Sequence, residues 1–227
     1  MSLEINEDRL SEVLAALPTD YNGAGRHVTY TRQKYETIYG IRPETIADDL
    51  NRVFAITVRQ RGGTIGMERV RAAQEAFDAE ALRAAERHRD AYELLVEIDD
   101  VGPKIANEYL RKVVHAFKFR PSWVPDLCVP LDIHVTKALV DTKCIHENGG
   151  SRTGRMTAGK VFNRNHGSTP RERIAADDMQ VAFERAAKKQ NANRIAFDEL
   201  WSENKFYLSI PAFRDESCLS SFLGDGQ

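Results

Sequence analysis

The feature that most restricts the fold of this chain is a helix, a four-residue turn and a second helix between residues 91 and 117. Ala91-Tyr92-Glu93-Leu94-Leu95-Val96-Glu97-Ile98 has the spacing of a short helix, and Asp99-Asp100-Val101-Gly102 is a tight turn. Pro103 stands at a first helical position, where its missing N–H costs nothing. Ile105, Ala106, Tyr109, Leu110, Val113, Val114 and Phe117 then form one continuous apolar face. Helical spacing recurs elsewhere. Leu10, Val13 and Leu14 precede Pro18, and Ile46, Leu50, Val53, Phe54 and Val58 mark residues 44–60. Further helices are expected over 67–77, 79–88 and 177–190, and another over Ile195–Tyr207 with Trp201. No run of alternating residues appears, so the expected class is all-α, in a single domain 1–227. Strands are expected to be minor, around Val28–Thr31 or Ala116–Phe119.

Charge divides unevenly. Residues 1–100 hold 13 Lys/Arg against 19 Asp/Glu, residues 101–173 hold 13 against 6, and residues 174–227 hold 6 against 9. The positive charge lies in the middle third, where a polyanion would be attracted, although a solvated basic face gives the same count. Residues 147–170, polar, Gly-rich and basic, read as a long loop. The start, MSLEINEDRL, is acidic with no apolar core of a signal peptide, and no apolar stretch is long enough to span a bilayer. The expectation is therefore an intracellular, cytoplasmic protein, with no membrane partner. Cys128, Cys144 and Cys218 are odd in number and irregular in spacing, which argues against a disulfide framework or an iron–sulfur cluster. Cys144, His146 and His166 as a metal set is the minority reading against a buried thiol and surface imidazoles.

Two residues carry candidate chemistry. Lys104 lies in the first turn of the second helix, where a cation opposes the helix dipole. That placement is expected to lower its pKa toward the neutral amine that Schiff-base chemistry needs, and a phosphate-contacting lysine is the alternative. The amides of Val101 and Gly102, at the same helix start, are candidate anion donors. Asp132, just ahead of the pattern Val135, Ala138 and Leu139, is a natural N-cap.

Leu94 through Ala106, with Asp99-Asp100-Val101-Gly102-Pro103-Lys104 at its centre, resembles the hairpin of the helix-hairpin-helix DNA glycosylases, roughly L-x-x-L-P-G-V-G-x-K-T-A. Val129-Pro130-Leu131-Asp132-Ile133-His134-Val135 is similar to their V-P-V-D-x-H-V segment. The two motifs span residues 94–135 in the family's order. The resemblance implies a two-lobed helical bundle with a DNA cleft between the lobes, and a bifunctional glycosylase/AP lyase. Lys104 would be the Schiff-base nucleophile and Asp132 its catalytic carboxylate. Residues 101 and 102, with Lys112, Arg152 and Arg155, would hold the DNA backbone. Gln60, at the end of a segment faintly similar to a family helix, and His134 would lie near the extruded base or its strand. The implied partner is double-stranded DNA carrying a damaged base or an abasic site. The protein is expected to act as a monomer, with no cofactor beyond a monovalent cation that such hairpins can hold. The closeness of Val-Pro-x-Asp-x-His points first to 8-oxoguanine, then to an oxidised pyrimidine. A non-catalytic hairpin module is the competing class. The chain departs from the pattern where Asp99 replaces the hairpin proline and Asp100 its first glycine, and in the 28-residue interval from Lys104 to Asp132.

Overall fold

A computed structural model describes residues 3–17, 25–59, 66–147, 161–163 and 173–201. The described chain is mostly helical. In order, its elements are β1 (Leu3–Ile5), α1 (Glu7–Ala16), α2 (Arg26–Tyr39), α3 (Ile46–Arg59), α4 (Met67–Ala76), α5 (Ala79–Ala84), α6 (His88–Val96), α7 (Pro103–Leu110), α8 (Ile133–Asp141), β2 (Ile145–Glu147), β3 (Phe162–Asn163), β4 (Ile174–Ala175) and α9 (Ala176–Lys189). The chain forms two compact units. Val28–Pro130 is the central unit, and the segments before and after it make the terminal unit.

The central unit is built around α3 and α7. Phe54 stacks on Phe77 with centroids 4.1 Å apart, and Tyr109 stands edge-on to both at 5.4 and 5.5 Å. The Tyr109 hydroxyl donates to the Leu50 carbonyl at 3.3 Å, which satisfies the one polar atom of a fully buried ring. All seven apolar residues of the face from Ile105 to Phe117 are buried, as their spacing predicts. The helix does not stay regular along that face. From Arg111 to Ala116 it widens into a π turn, closed by the Phe117 N–H donating to the Lys112 carbonyl at 3.0 Å.

Several elements differ from the expectation. Val28–Thr31 is not a strand but part of α2. Its β-branched residues favour a strand locally, yet Val28, Thr31 and Tyr35 lie at helical spacing and all are buried, so packing overrides propensity. Ala116–Phe119 is no strand either: it ends the π turn, where the Arg32 guanidinium donates twice to the Ala116 carbonyl, at 3.1 and 2.9 Å. The helix expected over 79–88 stops at Ala84, and α6 starts three residues before Ala91. Pro121–Asp126 is a 3₁₀ turn whose Trp123 is buried and donates to the Glu86 carbonyl at 3.1 Å, which makes it a core residue.

In the terminal unit α1 packs on α9. Leu10, Val13, Met179, Phe183 and Ala186 are buried there, and Phe183 meets Phe197 at 4.5 Å. The actual strands are short: β1 pairs antiparallel with β2, and β3 parallel with β4. Most of the expected 147–170 loop lies outside the described residues. Among those described, no helix is long and apolar enough to cross a membrane.

Candidate functional site

The hairpin turn in the central unit spends its polar groups in an uneven way. The Val101 N–H donates to the Ile98 carbonyl at 3.0 Å, and the Val101 side chain is buried. This corrects the expectation for Val101: its amide closes the turn and is not presented to a phosphate. Gly102 is the N-cap of α7, with no side chain to cap the helix and Pro103 following. Its carbonyl accepts from the Ile105 and Ala106 N–H groups at 2.9 and 3.1 Å. Among the described residues nothing accepts from the N–H groups of Gly102 or Lys104. These two are the unspent donors of the helix start.

Asp100 occupies the left-handed region at φ 67, the conformation that glycine adopts most readily. The backbone therefore keeps the shape that the family's glycine would serve, with an aspartate in it. Aspartate is among the residues that tolerate this region. The Asp100 carboxylate is paired with Arg69 at 2.6 Å, so its charge is answered from α4.

Lys104, Glu108 and Lys112 are spaced four apart on one helix. Lys104 is half-buried and has no hydrogen-bond or ion-pair partner among the described residues. Lys112 is 3% exposed. Its ammonium donates to Glu108 at 2.8 Å and to the Thr57 hydroxyl at 3.2 Å, and lies 5.7 Å from the centre of the Tyr35 ring. The expectation that Lys112 holds DNA is thus corrected: the side chain is an internal cation with its donors engaged inside the unit. Burial pushes the Glu108 carboxyl up, but the charges of Lys112, Arg111 and Lys104 more than offset it and hold the carboxyl below its usual range. A sign of this was present in the sequence. Lys112 lies three residues past Tyr109 and seven past Ile105, on the apolar face, with Glu108 one turn back.

In the terminal unit Asp132 is the N-cap of α8. Its Oδ1 accepts from the His134 and Val135 N–H groups at 2.8 and 2.9 Å, as the expected cap requires. His134 is half-buried, edge-on to Trp201 at 5.6 Å. Trp201 stacks flat on His27, with centroids 4.4 Å apart and planes 10° apart. The His27 Nδ1 lies 3.0 Å from Asp198 Oδ2 and 3.1 Å from the Asp198 carbonyl, and its backbone N–H donates to Glu199 Oε2 at 2.6 Å. A side chain at Gly25 would run into that Glu199 carboxylate, which would have to swing aside to make room. Sequence reading missed the roles of His27 and Asp198, because the contact joins residues 171 apart with no motif at either end.

Gln60, Arg152 and Arg155 lie outside the described residues. Lys104 belongs to the central unit and Asp132 to the terminal unit. Among the described residues no three His, Cys, Asp or Glu side chains converge on a place for a metal ion. Cys144 is buried, and burial raises its thiol to about 12. The chain matches no family model, no curated protein and no solved structure.

Proposed function

We propose that this protein is a bifunctional DNA glycosylase/AP lyase, with Lys104 as nucleophile and Asp132 as carboxylate partner. The observation that carries the reading is at the start of α7. An uncommitted lysine ammonium stands beside two unspent N–H groups, Gly102 and Lys104, while the neighbouring cation Lys112 is fully engaged. The two amides suit a backbone phosphate, and the lysine suits a covalent step.

In this reading the damaged nucleotide is turned out of the duplex. The Lys104 Nζ, once its ammonium has given up a proton to water, attacks C1′ of the sugar. The base leaves with the electrons of the glycosidic bond, and Asp132 stabilises the positive charge that develops on the sugar. Loss of the amine proton and opening of the sugar ring give an iminium. Removal of a C2′ proton then expels the 3′ phosphate by β-elimination, and hydrolysis returns the lysine. The favoured substrate is 8-oxoguanine, followed by an oxidised pyrimidine.

One observation favours a second reading, a hairpin module that binds DNA without chemistry: capping alone explains why an aspartate stands at position 132. Borohydride trapping on duplexes, each with one damaged base, separates the two. The enzyme reading expects an adduct that Lys104→Gln abolishes. A binding module gives no adduct on any duplex while still shifting it in a gel.

A further inference from the structure

Beside the hairpin turn, within the central unit, α4 and α6 leave a groove of about 680 Å³ between them. That volume lies in the range of roughly 300–1,000 Å³ typical of ligand sites. Ala72 and Ala76 of α4 form one wall, at the i, i+4 spacing of a single helix face. Leu94 and Ile98 face them at the same spacing from α6 and the turn. The walls are not sealed, since Leu94 is 36% exposed.

The rim has one sign of charge. Glu97 and Asp99 are exposed, and neither has an ion-pair partner among the described residues. Asp78 stands at the same groove as the cap of α5. Among the described residues the cation at the groove is Arg69, and it is already paired with Asp100. Both α4 and α6 end here with no basic residue in their last turns, so their carbonyl ends add to the negative potential.

The combination decides the occupant. A nucleic acid is repelled by the rim, and no three ligands converge here for a metal ion. Small residues on one wall and an exposed leucine on the other suit an apolar helix stripe, and the acidic rim suits lysine or arginine flanking it. We infer that this groove docks a basic amphipathic helix of a protein partner. The inference does not rest on the glycosylase reading.

The test titrates the full chain with fluorescent synthetic helices of about 16 residues. One carries a leucine stripe flanked by lysine, one the same stripe flanked by glutamate, and one the lysines with the stripe scrambled. Spermine is the competitor that reports charge alone. The lysine-flanked helix should bind with Kd below about 100 µM, at least about tenfold tighter than either control. Glu97→Lys with Asp99→Lys should transfer the preference to the glutamate-flanked helix, and Leu94→Glu should weaken binding about tenfold. All three side chains are exposed, so melting curves should show the variants folded. The inference is overturned if the scrambled helix binds equally, if spermine displaces the helix completely, if the charge reversal changes nothing, or if the lysine-flanked helix does not bind.

Discussion

The helix starts at Gly102 and Asp132 solve the same problem in opposite ways. Every α-helix begins with N–H groups that have no partner inside it. At α8 one carboxylate oxygen of Asp132 answers two of them, at 2.8 and 2.9 Å. At α7 the cap is a glycine with no side chain, the next residue is a proline with no N–H, and the residue after that is a lysine. One start is closed by the chain itself and the other is left open. An open start with a cation in its first turn is a poor way to stabilise a helix and a good way to receive an anion. The hairpin and the aspartate motif stand close together in sequence, yet one helix start keeps its donors open and the other spends them on a side chain.

The comparison is most easily broken by removing the two charges in turn. Lys104→Gln should reduce borohydride trapping to background while leaving the melting temperature close to that of the parent. Asp132→Asn should lower single-turnover base excision by about 10²–10³-fold. Its stability should change by less than about 1 kcal/mol, because asparagine caps nearly as well. An Asp132→Asn protein that excises normally would leave that helix start with capping as its whole role.

The buried cation sharpens the contrast with Lys104. Lys112→Met should cost about 3 kcal/mol in urea unfolding, since it removes the buried cation that pairs with the half-buried Glu108 carboxylate. The salt dependence of DNA affinity should not change. The Glu108 carboxyl is held below its ordinary value of 4.5. Its contribution is therefore fully present above that pH and is lost as pH falls through the lower folded value. In Lys112→Met the acid-side loss should begin at higher pH, read as the midpoint of acid unfolding. If Lys112→Ala or Lys112→Met lowered the salt slope by about 0.9, one phosphate contact would have to be restored to it.

Smaller effects are expected at the turn. A side chain at Gly102 meets open space at an ordinary φ of −80, so Gly102→Ala should fold normally. Asp100→Gly relieves a left-handed aspartate and loses the Arg69 pair, which is on the surface. Its net effect on stability should be within about 1 kcal/mol. Smallest of all is the thiol contrast. Cys144, raised to about 12 by burial, should resist iodoacetamide at pH 8 in the native protein, and the half-buried Cys128 should react before it.

Much of the helical organisation was legible because it rests on local rules. The apolar face from Ile105 to Phe117, the proline at the start of α7 and the cap at Asp132 each follow from spacing or from the chemistry of one residue. The errors came where a local rule met a stronger tertiary one. Val28–Thr31 favours a strand by its branched side chains, but burial of Val28, Thr31 and Tyr35 along one face makes it a helix. Lys112 looked like a surface cation because lysine usually is one. Its burial depends on Thr57 and Tyr35, 55 and 77 residues earlier.

The sequence by itself determined the class of fold, the hairpin, and which residues stand at the two helix starts, since periodicity and backbone chemistry act over a few residues. Only the tertiary structure decided which polar groups remain unspent. It closed the Val101 amide in the turn, answered Asp100 with Arg69, and drew Lys112 inward to Glu108 and Thr57. It also joined His27 to Asp198 across 171 residues. Whether a donor or a charge is free depends on every group that reaches it, and that sum is made in space rather than along the chain.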